Sequence, residues 1–171
     1  TGMAGVSLYH DLNQSLLSRD TISIFYRIES SKILRNQENN PELYGAITAQ
    51  GVLLNEIDNP NKDRSICMAV TAEATNGLPT SWSGAIDEII AGVNVSDADN
   101  ENKRLMYISA GNVGPSELRD TKYPDVNIVS CVQSPGQSWN ALTVGAYNSK
   151  IQIDDIDFLG CHPVADVGEL S

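Results

Sequence analysis

The segment "YISAGNVGP", residues 107–115, places one amide side chain directly after a run of strand-like residues. An Asn carboxamide offers a neutral N–H donor that has no proton to lose, so it can donate a hydrogen bond at any working pH. The three residues that precede Asn112 are small and leave room for a ligand. The same letters also fit a plain turn, because Asn tolerates a left-handed backbone. Locally, a binding site and a turn both stay open.

Strand-like and helical segments alternate along the chain. Four segments have the length and the β-branched or apolar composition of strands: residues 21–28, 64–72, 104–110 and 140–148. Three others have apolar residues at helical spacing: 1–17, 40–57 and 79–93. The strands are apolar enough to be covered on both faces, so the pattern predicts an α/β fold of three layers, a mostly parallel sheet with helices on both faces. Ligands of such sheets bind beyond the carboxyl ends of the strands, where Asn112 is expected.

Two of the helices carry clear start signals. Asn40 precedes Pro41 and Glu42, a combination typical of a capping residue and a first helical turn. Thr80 or Ser81 is expected to cap the later helix. The apolar side of that helix and both tryptophans are predicted to pack in the core: Trp82, Ile86, Ile89, Ile90, Val93 and Trp139.

Length, charge and composition disfavour several classes of function. The chain has 171 residues, enough for one domain with a sizeable core. Its formal net charge of -11 argues against nucleic acids and anionic membranes as partners. No apolar run approaches the ~20 residues that are needed to cross a bilayer. The segment "AGNVGP" lacks the Gly-Lys-Ser/Thr of a phosphate loop, which disfavours a nucleotide-binding α/β domain.

Metal and redox sites have weak signals. Cys67, Cys131 and Cys161 are widely spaced and form no CxxC pair, so they are expected to be buried, reduced thiols. Reduced thiols slightly favour a reducing compartment such as the cytoplasm, and the localisation is otherwise unknown. Two acidic stretches, 96–102 and 154–157, could attract calcium, but the first lacks the Gly and the distal Glu of an EF-hand loop. We therefore expect no cofactor, with calcium left open.

Several segments, in order, resemble the subtilisin-like serine peptidases. "TGMAGV" is similar to the tail of their His-Gly-Thr-x-x-Ala-Gly motif, "SAGNVGP" to their oxyanion-hole segment, and "NALTVGAYN" to the strand that follows it. Longer stretches resemble, more narrowly, a bacterial branch of the family: "GLPTSWSGAIDEI", "SPGQSWNALTVGAY" and "PVADVGELS". The resemblance spans the chain, apart from irregular stretches such as 94–103 and 149–160.

The resemblance implies a catalytic role for Asn112. In acyl transfer the scissile carbonyl oxygen becomes an oxyanion, and a preorganised donor aimed at it lowers the barrier. Subtilases bind an extended peptide between two strand edges. The resemblance places these edges at Ala69, Val70 and Thr71 on one side and at Ser109, Ala110 and Gly111 on the other. The family usually has Ser-Leu-Gly at the first edge, so Ala-Val-Thr departs from its pattern. Small residues at the base imply a deep, apolar first pocket.

The resemblance also implies that residues 1–171 are the central part of a single peptidase domain, without the N-terminal Asp/His and C-terminal Ser segments. The family's His would precede Thr1 by two residues, and the 171 residues contain no Gly-Thr-Ser-x-Ala nucleophile motif. His10 would stand roughly 13 Å along its helix from the position of that base. His162 has no evident Ser or acid partner, and Ser171 lacks the nucleophile's surroundings. The chain alone is therefore expected to be inactive, with an incomplete sheet.

Two functions fit this pattern. The first is a serine endopeptidase, in which the intact protein hydrolyses a polypeptide substrate with an Asp-His-Ser triad. The alternative is a catalytically dead subtilase-fold module that binds peptides or acts as a scaffold. Relatives in this branch are often accompanied by an AAA-type ATPase, so the resemblance makes an ATPase of this type a candidate partner. Open apolar strand edges are also expected to favour self-association of the chain.

Overall fold

The computed structural model describes six segments and one isolated residue of the chain: 2–34, 39–72, 76–93, 102–120, 125–146, 154 and 156–158. Six α-helices lie in the described residues: α1 Gly2–Tyr9, α2 Leu12–Leu17, α3 Tyr44–Asp58, α4 Ser81–Ala91, α5 Pro115–Asp120 and α6 Asp125–Val129. The described strands are β1 Ser65–Met68, β2 Leu105–Ser109 and β3 Leu142–Val144, and short 3₁₀ helices cover Pro41–Leu43 and Ile156–Phe158. None of these helices is long and apolar enough to span a membrane.

The three strands form one parallel sheet in the order β1-β2-β3. Met68 lies beside Ile108, and Thr143 lies on the other side of Ile108. Side chains alternate along each strand, so Met68, Met106 and Ile108 point to one face of the sheet, where all three are buried. The α/β class and the parallel sheet predicted from the sequence are confirmed.

Helices α3 and α4 cover that face and complete the core. The buried cluster combines residues of both helices with the strands: Val52, Met68, Trp82, Ile86, Ile89, Ile90, Met106 and Ile108. Trp82 joins the two helices, because its Nε1 donates to Thr48 Oγ1 at 3.0 Å and its ring lies 4.9 Å from that of Tyr44. The predicted core position of Trp82 is confirmed. Trp139, by contrast, is 87% exposed, so that prediction is wrong.

Both predicted helix starts are present. Asn40 Oδ1 accepts a hydrogen bond from the Glu42 amide, and the 3₁₀ turn that begins at Pro41 runs directly into α3. Thr80, rather than Ser81, caps α4, and it forms a capping box with Ser83.

The end of α4 corrects one detail of the predicted core. Gly92 closes α4 with a left-handed backbone, at φ 78°. The chain therefore leaves the helix direction before Val93, and that side chain is exposed instead of buried. A helical spacing of apolar residues predicts the buried side only as far as the helix runs.

The first 34 residues differ from their predicted structure. The segment expected to be one helix is broken at His10, which has φ 58°, and Asp11 caps a second helix by accepting from the Gln14 amide. The segment expected to be a strand, 21–28, forms none. Its alternating pattern supplies a local preference, but a strand also needs a neighbour for its backbone hydrogen bonds, and these residues pair with no described strand.

Side chains beside this segment attach it to the rest of the protein. Glu29 and Arg64 form an ion pair at 2.6 Å, and Arg64 also donates to main-chain carbonyls beyond α3. Ser31 Oγ donates to the Gly51 carbonyl of α3 at 2.8 Å. The segment is therefore held against α3 by polar contacts.

The second face of the sheet is open in the described part of the chain. Leu105, Leu142 and Val144 point to this face and are 42%, 51% and 53% exposed. Cys67 also points there and is exposed, and Cys131 is exposed in its loop, so the expected burial of these two thiols is wrong. Cys161 lies outside the described residues.

Candidate active site

The residues proposed for catalysis and substrate binding meet at the carboxyl edge of the sheet. Asn112 follows β2, and Thr71 follows β1. The chain beyond β2 stays beside β3, because the Ala110 amide donates to the Val144 carbonyl at 3.0 Å. Parallel strands end at the same edge of a sheet, so the segments that follow β1 and β2 lie side by side there. We call residues 69–72 the wall after β1 and residues 109–112 the wall after β2.

A loop after α6 connects the two walls through its main chain. The Gln133 amide donates to the Ala110 carbonyl at 2.9 Å, which joins the loop to the wall after β2. The carbonyl of the next residue, Ser134, accepts a 2.8 Å hydrogen bond from the backbone amide of Ala72. Ser134 and Ala72 thereby form an antiparallel bridge, which joins the loop to the wall after β1. The Ser134–Pro135 peptide bond is cis.

The side chain of Gln133 makes a second connection between the walls. Its Oε1 accepts from Thr71 Oγ1 at 2.8 Å and from the backbone N–H of Asn112 at 3.3 Å. Its Nε2 donates to the Asn112 carbonyl at 2.8 Å. The Gln133 carboxamide therefore lies between the two walls and fixes the main chain at Asn112. The apolar first pocket stays a prediction, and a polar carboxamide lies between its proposed walls.

Gly111 allows this close approach. Its φ is 107°, in the region that L-residues rarely adopt. A Cβ added at Gly111 would lie 2.5 Å from Gln133 Cδ and 2.6 Å from Gln133 Cγ, far inside van der Waals contact. Any side chain at position 111 would therefore displace either the carboxamide or the loop that carries Asn112.

Helix α4 holds the bridging loop from the other side. Thr80 Oγ1, at the cap of α4, lies 2.6 Å from Ser134 Oγ. Further along the helix, Asp87 Oδ1 accepts from Ser138 Oγ at 2.6 Å and from the Asn140 amide at 2.8 Å. The loop is thus attached to α4 at two points, and Gln133 lies next to the first of them.

The predicted site residues differ in exposure. Asn112 is exposed, and no other described residue forms a hydrogen bond with its side chain. In the wall after β1, Ala69 is exposed and Val70 packs against the core cluster. The other predicted residues of the walls, Thr71, Ser109, Ala110 and Gly111, are half-buried.

Gln133 is the residue that sequence reasoning missed. Its partners are 62 and 21 residues away along the chain, so no local motif links them. The available signal was weak: a Ser-Pro-Gly turn directly after Gln133, beside a strand edge already assigned to the substrate. Only the folded arrangement shows that its carboxamide joins both walls.

The other candidates for chemistry are not part of this arrangement. His10 directly follows α1 and is exposed, with its ring 6.0 Å from that of Tyr26 in an edge contact. His162 and Ser171 lie outside the described residues. Although Cys67 as a residue is exposed, partial desolvation of its thiol raises the pKa, which disfavours the thiolate form. Among the described residues, no group of three or more His, Cys, Asp or Glu side chains could hold a metal ion.

A family model matches nearly the whole chain. It is the model of the subtilase family, and the match covers residues 1–163. No curated protein matches the chain, and no solved structure does. The matched range includes both walls, the loop that carries Asn112 and the bridging residue Gln133. It confirms the resemblance to subtilisin-like peptidases that the sequence motifs indicated.

Proposed function

Because the chain belongs to the subtilase family of serine peptidases, we propose that Asn112 is the oxyanion donor of a serine endopeptidase. During peptide hydrolysis a Ser Oγ attacks the scissile carbonyl carbon, a His takes the Ser proton, and the carbonyl oxygen becomes negative. The Asn112 side chain donates an N–H to that oxygen. In this proposal the Asp, His and Ser of the triad come from parts of the protein outside the described residues.

The observation that carries this proposal is that the main chain of Asn112 is held in place while its side-chain carboxamide has no hydrogen-bond partner among the described residues. Both polar atoms of the Asn112 backbone are held by the Gln133 carboxamide. Its side chain is exposed and has no hydrogen-bond partner in the described part of the chain. The fixed main chain restricts where the side-chain amide can reach, and the unpaired N–H is available to donate when charge develops on the carbonyl oxygen, as oxyanion stabilisation requires.

The substrate in this proposal is an extended polypeptide. It lies between the wall after β1 and the wall after β2, with its scissile carbonyl near Asn112. Small side chains at Ser109, Ala110 and Gly111 allow a peptide backbone to approach the sheet edge closely. The location beyond the carboxyl ends of parallel strands is where α/β proteins commonly bind ligands.

The test uses the intact protein that contains this chain. We expect a fluorophosphonate probe to label its nucleophilic Ser, and Asn112→Ala to lower kcat by ~10²–10³ with little change in KM, a magnitude taken from subtilisin itself rather than from this geometry. Asn13→Ala is the control, because Asn13 is an exposed residue of α2. The control should keep the wild-type kcat.

Two outcomes would contradict the proposal. If Asn112→Ala retained full kcat while the wild type hydrolysed peptides, Asn112 would not be the oxyanion donor. If the intact wild type neither reacted with the probe nor cleaved peptides, the catalytically dead, peptide-binding module would be the better description. Peptide binding without turnover, measured by calorimetry, would then support that alternative.

A further inference from the structure

We propose that the Gln133 side chain forms the floor of the substrate cleft and selects a small side chain at the residue before the scissile bond. The inference rests on the proposed function, since it assigns the specificity of that same cleft. It starts from the position of the carboxamide, which reaches Thr71 on one wall and Asn112 on the other. A substrate side chain that enters between the walls meets this group.

The carboxamide is fixed in the position where it closes the cleft. Its oxygen accepts two hydrogen bonds and its nitrogen donates one, so rotation away from the walls would break all three contacts. The Gln133 amide is itself tied to the Ala110 carbonyl. The neighbouring Ser134 is held by Ala72 and by Thr80. The floor therefore cannot move aside without loss of several hydrogen bonds at once.

The floor also lies close to the wall after β2. The Gln133 stem occupies the space that a side chain at position 111 would need, as the distances of 2.5 and 2.6 Å to an added Cβ show. A bulky apolar side chain of the substrate would have to displace the carboxamide or press against a polar group without forming a hydrogen bond with it. Both are unfavourable, whereas an Ala or Ser side chain ends before it reaches the floor.

The experiment compares three substrates in the intact protein. The peptides differ only at the residue before the scissile bond, which is Ala, Leu or Phe. We expect kcat/KM of the wild type to be at least tenfold higher for Ala than for Phe. Gln133→Ala removes the carboxamide, and we expect it to raise the Phe-to-Ala ratio of kcat/KM at least tenfold. That ratio would not respond to a uniform loss of folded enzyme.

Two further variants separate the floor from a general effect on the loop. Gln133→Met keeps a side chain of similar length, so it should preserve the preference for Ala within about threefold, even if it lowers kcat. Gln137→Ala is the matched control: Gln137 is in the same loop, but its Nε2 donates to the Val132 carbonyl and not to the walls. Its Phe-to-Ala ratio should equal that of the wild type.

The possible failures are distinguishable. If the wild type reacts with the fluorophosphonate and cleaves peptides, but Gln133→Ala leaves the Phe-to-Ala ratio unchanged, the specificity role of Gln133 is overturned and the peptidase function stands. A wild type that already prefers Phe overturns it as well. If the wild type shows neither labelling nor turnover, the proposed function fails, and the specificity assignment falls with it.

Discussion

The contact between α3 and α4 allows a sharp test of how tightly the core is packed. Gly45 of α3 faces Ala85 of α4, and a Cβ added at Gly45 would lie only 2.6 Å from the Ala85 Cβ. Two carbon atoms pack favourably at ~3.5–4.0 Å, so Gly45→Ala must separate the helices by about 1 Å. The separation disturbs the cluster around Trp82, which is built from both helices.

The free-energy change of Gly45→Ala combines two opposing effects. Overpacking of a core costs ~1–3 kcal/mol, and Ala in place of Gly within a helix recovers up to about 1 kcal/mol. The net expectation is a destabilisation of ~0–2.5 kcal/mol. Gly84→Ala in α4 is the matched control, because a Cβ at Gly84 has no atom within 4 Å. It should stabilise the protein by ~0.5–1 kcal/mol, since only the helix preference changes.

Urea unfolding followed by far-ultraviolet circular dichroism measures both variants. The unfolding midpoint should fall or stay level for Gly45→Ala and rise for Gly84→Ala, with unchanged m-values. A third variant, Gly45→Ala with Ala85→Gly, removes the atom that the new Cβ meets. Its destabilisation should be smaller than the sum of the two single changes by about the overpacking cost, ~1–3 kcal/mol. Equal stabilisation by Gly45→Ala and Gly84→Ala would refute the close helix contact.

Three further predictions concern other contacts. Thr80→Ala should destabilise the protein by ~0.5–2 kcal/mol in urea unfolding, because Thr80 caps α4, while Thr80→Ser should retain most of the stability. The Arg64 guanidinium hydrogen-bonds Glu29 and lowers the pKa of that carboxyl. The Glu29–Arg64 pair therefore stabilises the fold fully above the unfolded-state pKa of Glu29, and this contribution is lost as the pH falls through the lower folded-state pKa. A titration by NMR should show the low pKa, and Arg64→Met should return it to the ordinary value; an unchanged midpoint would contradict the pairing. Finally, the open sheet face should cause the 171-residue chain to associate as its concentration rises, and Leu142→Glu with Val144→Glu should suppress this in sedimentation velocity, whereas a monomeric wild type would refute it.

The parts of the fold that were predictable are those specified by neighbouring residues. The caps Asn40 and Thr80 are where the sequence placed them: Asn40 caps the 3₁₀ turn that leads into α3, and Thr80 caps α4. Strands β1, β2 and β3 lie within their predicted segments, although each is shorter. Burial of one face accounts for the apolar residues Met68, Met106 and Ile108 of β1 and β2. The apolar side chains of β3, Leu142 and Val144, are exposed, so their composition indicates a strand without being explained by burial in the described residues.

The parts that were not predictable depend on what the chain packs against. The segment 21–28 has the composition of a strand but no neighbouring strand among the described residues. Trp139 and Cys67 are apolar enough for a core, yet Trp139 lies at an exposed turn and Cys67 points to the open face of the sheet. Residue type gives a preference for burial, whereas the face of the sheet on which a residue lies is decided by strand register.

The site shows the same division between local and distant determinants. Asn112 could be proposed from its own neighbourhood, because a strand, small residues and a turn follow one another in sequence. Gln133 was not found, because its role depends on two walls that meet only in the folded chain.

Helix α4 therefore has a part in the geometry of the cleft as well as in the core. Its cap residue Thr80 contacts Ser134. Ser134 is next to Gln133, whose carboxamide hydrogen-bonds both walls. The buried side of the same helix packs against the strands that end in those walls. A change at the start of α4 should consequently alter both the stability of the core and the distance between Thr71 and Asn112. A change at the exposed Gly84 should alter stability alone, so the geometry of the two walls and the stability of the core can be separated within a single helix.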